Sequence, residues 1–194
     1  MSILILIILG YLIGSFPSAL IVGKIGYGVD IREHGSGNLG GTNTFRSIGK
    51  TAGIIVLTAD ILKGSLAAAL PFLTGVGNEY ALIAGIPAVI GHCYPVFAGF
   101  RGGKAVATSA GVLFFVAPLL TLSALVVFVI TLYISKYVSL SSILAALWAH
   151  TYAIIWSDKP LAFATFLLVV FILYRHRQNL ERIMDGSERK VGWI

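Results

Sequence analysis

The sequence has 194 residues, of which 57% are hydrophobic and 11% charged, and it carries a formal net charge of +6. Soluble domains carry roughly 25% charged residues, so this composition excludes a soluble monomer. A mean hydropathy of +0.92 likewise excludes a disordered chain, which needs the opposite balance. The single cysteine, Cys93, cannot form an internal disulfide, and no Cys/His spacing resembles a zinc site, so neither metal nor organic cofactor is expected. The 14 Lys and Arg residues are spread between long apolar stretches instead of lying on one polar face. That distribution argues against nucleic acid as a partner and for membrane topology and anion binding.

A bilayer cannot host unpaired backbone polar groups, so the chain is predicted to be all-α, a single polytopic membrane helix bundle over residues 1–194. The first apolar window, Ile3 to Val22, has no charge ahead of it, while Lys24 and Arg32 follow it. That is the reverse of a cleaved signal, and the window is read as a retained helix with the N-terminus outside. Gly53 to Leu73 is the second long window. Tyr80 to Gly91 and Ala105 to Pro118 are shorter, nearer the length of thin, tilted or re-entrant helices. Leu119 to Ser135, Leu140 to Trp156 and Leu161 to Tyr174 complete the set. The windows make seven transmembrane helices, two of them short, or five plus a half-spanning pair. Lys24, Arg32, Arg46, Lys50, Arg101, Lys104, Lys136, Arg175, Arg177, Arg182, Arg189 and Lys190 then fall on one side, against Lys159 on the other. The positive-inside bias makes the first side, with the C-terminus, cytoplasmic.

Two of the connecting segments carry more than a connector requires. Asp30 to Lys50 reads DIREHGSGNLGGTNTFRSIGK, with glycine at 35, 37, 40, 41 and 49. Glycine permits positive φ and close approach of backbone N–H groups to a ligand, while Ser36, Asn38, Thr42 and Asn43 add short donors suited to phosphate oxygens. Arg46 can grip a phosphate through its planar fork. The segment is not a Walker loop, and a flexible tight-turn loop is the competing reading. Gly91 to Thr108 reads GHCYPVFAGFRGGKAVAT and sets Gly102 and Gly103 directly before Lys104 and the start of an apolar helix. An anion there would meet backbone N–H groups, the helix dipole and an ammonium together. Alternatively, Arg101 and Lys104 serve only the positive-inside rule.

Within the second window Asp60 and Lys63 lie three residues apart and share one helix face. Charges at that depth are costly, so the pair is either the floor of a polar pocket or a neutralised structural pair, and Gly64 beside it favours close helix packing. Tyr174 to Glu181 reads YRHRQNLE at the end of the last window. There Asn179 can donate and accept, His176 can bind phosphate or transfer a proton, and Arg175 and Arg177 are as well explained as membrane anchors. His150 is read as a satisfied interior residue.

No GxSxG elbow occurs, and His92 beside Cys93 has no orienting group, so side-chain nucleophilic catalysis is not indicated. His176 and Glu181, five positions apart, lie about 140° apart on a helix and cannot readily form a general-base pair. Catalysis would then come from positioning two substrates and from electrostatics, with the activation stored in one of them. A mixed carboxylic-phosphoric anhydride meets that need, because its phosphate is both leaving group and proton acceptor.

GSGNLGGTNTFRSIGK at Gly35 to Lys50, DILKG at Asp60 to Gly64, GHCYPVFAGFRGGKAVAT at Gly91 to Thr108 and YRHRQN at Tyr174 to Asn179 resemble, in motif order, the bacterial integral-membrane acyl-phosphate:glycerol-3-phosphate acyltransferases. The resemblance implies a seven-helix, multi-pass enzyme of the bacterial inner membrane with its active site facing the cytoplasm. It implies transfer of a fatty acyl group from acyl phosphate to the sn-1 hydroxyl of glycerol 3-phosphate, giving lysophosphatidic acid and phosphate for phospholipid synthesis, without a protein general base. It also implies Ser36, Gly37, Asn38, Gly40, Thr42 and Asn43 as phosphate-pocket residues, with Arg46 on a substrate phosphate. His92, Gly102, Gly103 and Lys104 would line the same pocket, with Asn179 near glycerol 3-phosphate. The family commonly has GATN where this chain has Gly40-Gly41-Thr42-Asn43, and often Lys at Arg101; both changes keep size or charge. Competing classes are a transporter or channel for a phosphorylated metabolite, and a lipid phosphatase, whose nucleophile and arginine cluster are not evident.

Overall fold

A computed structural model describes residues 2–192 and is all-helical, with no strand among them. Six helical stretches have the length and apolarity to cross a bilayer, and Val106–Val116 is a shorter apolar helix. The chain forms two compact units, Met1–Val116 and Ala117–Ile194.

In the first unit, α1 (Ile3–Gly14) stops ahead of Pro17, whose ring has no N–H to continue the ladder. The chain resumes as α2 (Ser18–Ile21) and a wide π-turn, Val22–Gly26, so the first window is a broken helix and reaches four residues past Val22. The segment expected to be a loop contains a 3-10 turn at Ile31–Glu33 and a short helix, α3 (Gly41–Ser47). Gly49, at φ +132°, separates α3 from α4 (Lys50–Leu73), which therefore starts at Lys50 rather than Gly53. The third window runs through α5 (Ala81–Cys93); with its flanking turns it forms an apolar stretch of 21 residues, longer than Tyr80 to Gly91. Of the two helices expected to be short, α6 (Val106–Val116) is the one that stays short.

Close backbone approach holds these helices together, as expected where lipid offers no hydrophobic gain from burying large side chains. A Cβ on Gly10 or Gly14 of α1 would strike the backbone of Ala84 or Ala88 in α5. On Gly64 of α4 it would strike the Thr108 carbonyl of α6. Below the loops, Ala19, Ile31, Leu39, Val56 and Ala98 form one buried apolar cluster. Both glycine-bearing segments, through Ile31 and Leu39 on one side and Ala98 on the other, are thus anchored to a common core.

The second unit comprises α7 (Pro118–Ser135), α8 (Val138–Trp156) and α9 (Lys159–Met184). Lys136 takes the left-handed conformation, φ +63°, to close α7 before the tight link into α8. Asp158 caps α9 by accepting from the Leu161 N–H at 3.0 Å, with Pro160 in the first turn. This helix runs to Met184 instead of ending at Tyr174, because Arg, Gln, Leu and Glu propagate a helix well even where the apolar pattern stops. His176 and Asn179 accordingly sit on a helix face.

Candidate active site

The first glycine segment is folded around the buried side chain of Asn43. Its Oδ1 accepts from the Ser36 N–H at 3.0 Å, and its Nδ2 faces the carbonyls of His34, Asn38 and Ile31 at 3.0, 3.2 and 3.4 Å. Gly35 and Gly37 adopt φ of +61° and +67°, turning the chain around this amide; a Cβ on Gly35 would collide with Asn43 Oδ1. Asn43 therefore shapes the loop, while Ser36 at the tip and Arg46 and Thr42 on α3 are exposed. Asn38 and Gly40 are half-buried. At the base of the loop, Arg32 and Lys24 approach Asp30 Oδ2 to 2.6 and 3.0 Å. The hydrogen bond from Arg32, foremost, holds the Asp30 carboxyl well below the usual carboxylate range.

The second segment crosses His92 at close range. Gly102 and Gly103 are buried; a Cβ on Gly102 would meet the His92 carbonyl, and one on Gly103 the imidazole itself. The Gly103 N–H donates to the His92 carbonyl at 3.0 Å, so this amide serves the loop's own fold. Lys104 follows, half-buried, and Ala105 at φ +75° turns the chain into α6. A non-glycine residue in that region is strained, which marks the turn as held by its surroundings. Arg101 is exposed.

Beneath this loop lies a buried polar cluster. Asp60 Oδ1 is 2.7 Å from Lys63 Nζ, accepts from the Ser18 hydroxyl at 3.0 Å, and is 3.6 Å from His92 Nδ1. Lys63 also donates to the Phe16 carbonyl at 3.0 Å, a group made available by the interruption at Pro17. Asp60 and Lys63 thus tie α4 to the broken first helix and reach His92, joining residues that the spacing of the two charges alone left open. Ser18 was not legible as a member; its only signal is a hydroxyl beside a helix break. An apolar groove of about 920 Å³ opens beside the cluster, lined by Leu12, Ile13, Phe16, Ala59, Leu62, Leu66, Ala69, Phe97 and Phe115, with Lys63 and Ser65 as its polar contributors.

In the second unit, Glu188 gathers a polar network that sequence reading missed. Its Oε1 accepts from Asn179 Nδ2 at 2.7 Å and from the Ser139 hydroxyl at 2.9 Å, and its Oε2 accepts from Arg182 Nε at 2.8 Å. Burial raises the Glu188 carboxyl, but the hydrogen bonds from Arg182, Asn179 and Ser139 outweigh it and leave the group below its ordinary range. His176 is buried, with Nδ1 2.9 Å from the Ile172 carbonyl of its own helix. Only the recurrence of an acidic residue just past a helix end rich in basic ones hinted at Glu188.

A protein-family model described as Glycerol-3-phosphate acyltransferase matches residues 4–186. The chain belongs to that family. It is 58% identical to the glycerol-3-phosphate acyltransferase of Geobacillus kaustophilus over 97% of this chain and 95% of that one. It is 55% identical to the Bacillus subtilis protein of the same name over the full length of both. Among solved structures, it is similar to PlsY, an integral membrane glycerol 3-phosphate acyltransferase, in a crystal structure of the glycerol 3-phosphate form. The TM-score is 0.92 and the identity 38%, covering 99% of this chain and 96% of PlsY. A lysophosphatidic acid form of PlsY matches with a TM-score of 0.90 at 37% identity. The acyltransferase is accordingly an integral-membrane, multi-pass helical protein, and its family name connects it with phospholipid synthesis.

Proposed function

We propose that this member of the family transfers a fatty acyl group from acyl phosphate to the sn-1 hydroxyl of glycerol 3-phosphate, releasing lysophosphatidic acid and inorganic phosphate. The hydroxyl oxygen attacks the acyl carbonyl, the carbonyl carbon's bond to the phosphate oxygen breaks, and the hydroxyl proton leaves on the departing phosphate. The donor supplies both the activation and the base, which suits a site whose two loops offer cations, hydroxyls and amides but no nucleophile–base pair. The single observation that carries this reading is the anchoring of both glycine segments on one apolar cluster, in a unit that also holds an apolar groove with Lys63 in its lining.

In this reading Arg46 and Lys104 neutralise the substrate phosphates, with Ser36 and Thr42 as further donors to them. Asn38, Gly37, Gly40, Gly102 and Gly103 shape the two loops around the phosphates, and Asn43 holds the first of them in shape. The groove takes the acyl chain, leaving the reacting carbonyl at its polar end. Arg101 lies in a supporting position at the second loop, exposed beside Gly102. The distribution of Lys and Arg supports a bacterial inner-membrane orientation with the N-terminus outside and both loops cytoplasmic.

Purified protein mixed with a long-chain acyl phosphate and labelled glycerol 3-phosphate is expected to yield labelled lysophosphatidic acid and one phosphate per lipid formed. Labelled glycerol 3-phosphate crossing vesicles without consumption of acyl donor would replace this reading with transport.

A further inference from the structure

We propose that Asp60 is a positioning residue for the second glycine loop, acting through His92. The inference rests on the reading above that this loop receives a substrate phosphate. Asp60 lies in the interior of α4, only 1% exposed, and is no candidate to touch substrate itself. Its Oδ1 faces His92 Nδ1 at 3.6 Å, and His92 is also buried. An ionised carboxylate only accepts, so it favours the tautomer with the proton on Nδ1 and directs the other ring nitrogen, Nε2, away from α4. That nitrogen is the atom a Cβ on Gly103 would strike first. The imidazole is therefore a strut between the buried carboxylate and the backbone immediately ahead of Lys104.

The other contacts of Asp60 explain why the strut is rigid. Lys63 and Ser18 fix the same Oδ1, and Lys63 in turn holds the Phe16 carbonyl, so the carboxylate is braced from α2, α4 and the break between α1 and α2. The loop rests on His92 from the opposite side, through the Gly103 N–H and the absence of a side chain at 102 and 103. A change of ring tautomer or tilt would move the peptide that carries Lys104. Displacements of about 1 Å at such a position can cost 100-fold in rate.

The test is a double-mutant cycle on the full-length protein. Asp60→Asn combined with Lys63→Met removes the ion pair without leaving a lone buried charge, and His92→Gln removes the strut. Steady-state kinetics with glycerol 3-phosphate, inhibition by inorganic phosphate and thermal unfolding are measured for wild type, each change and the combination. The ion-pair variant is expected to raise KM for glycerol 3-phosphate and Ki for phosphate about tenfold or more. His92→Gln should do the same, and the combination should do no more than either. Multiplying effects, or a loss that follows unfolding alone, would overturn the proposal.

A second measurement needs no variant at Asp60. Nitrogen-15 spectra of the four histidines, with His92 identified by the His92→Gln spectrum, should report a proton on Nδ1 and a perturbation of Nε2 on adding inorganic phosphate. The opposite tautomer, or indifference to phosphate, overturns the proposal even if the ion-pair variant fails to fold. Phosphate binding without acyl transfer by the wild type would fault the donor assignment alone, since the phosphate arm and the spectra would still decide the role of Asp60.

Discussion

Asn179 donates to Glu188 across 2.7 Å, bringing a helix residue and a tail residue into a single buried hydrogen-bonding pair. Because Ser139 and Arg182 meet the same carboxylate, Glu188 sets the orientation of Asn179 and secures the tail to α8 and α9 together. Glu188→Gln is expected to lower the stability of the protein by about 2 kcal/mol, the scale of hydrogen bonds to a charged group. The fall should be read in the unfolding midpoint in detergent. Glu188 is held below its ordinary value of 4.5 in the folded protein, so its contribution is complete above that pH and disappears as the pH falls through the lower folded value. The stability gap between wild type and Glu188→Gln should therefore narrow below about pH 4.5.

Asn43 and Ser36 separate the architecture of the first loop from its chemistry. Asn43→Ala removes the amide that joins the Ser36 N–H to the carbonyls of His34 and Asn38, each bond contributing about 1 kcal/mol. Faster hydrogen exchange or proteolysis confined to residues 31–43 is the expected result, together with loss of transfer. Ser36→Ala should leave exchange unchanged and reduce transfer only.

Lys104→Ala is expected to remain folded and to lose about 100- to 1000-fold in kcat, the range for removing one preorganised electrostatic contact. Arg46→Lys should keep part of the activity because charge remains, while Arg46→Ala should not, since the planar fork is lost as well. Turnover of Lys104→Ala at the wild-type rate would remove this residue from the reaction.

Gly103→Ala and Gly99→Ala distinguish close approach from backbone freedom. At Gly103 the new methyl lands on the His92 ring, so overpacking of about 1–3 kcal/mol and a sharp loss of activity are expected. Gly99 has φ +63° with open space around its missing Cβ, so alanine there should cost only about 1 kcal/mol of left-handed strain and leave KM unaltered. Unfolding midpoints and KM for both variants make the comparison.

Ala69→Phe places a ring in the wall of the apolar groove. Among acyl phosphates of graded length, this variant should lose the longer donors first while keeping KM for glycerol 3-phosphate. A uniform loss across all lengths would detach the groove from the acyl chain.

Much of this architecture was readable from the chain itself because membrane spans are written in composition: Gly53 to Leu73 and Leu140 to Trp156 differ from α4 and α8 only at their starts. The last helix was underestimated because its final ten residues are helical by propensity and not by apolarity, so a hydropathy pattern cannot see them. The first loop's glycines were legible as turns, but the part played by Asn43 was not, since a buried amide and an exposed one are the same letter. Asp60 and Lys63 could be paired from their spacing, whereas their link to His92 and Ser18 depends on how α2 and α5 meet α4. Glu188 escaped notice because its three partners sit on two different helices, Ser139 on α8 and Asn179 and Arg182 on α9.

The interrupted first helix bears on how the protein is made. A helix bringing a lone lysine into the bilayer would be resisted, but α4 enters with Asp60 one turn from Lys63, so the two charges can cancel within a single segment during insertion. The Phe16 carbonyl, in the break between α1 and α2, precedes α4 in the chain and is therefore synthesised before it. Association of the two segments then adds the Phe16 carbonyl to the internal pair, giving the three-way contact of the folded protein.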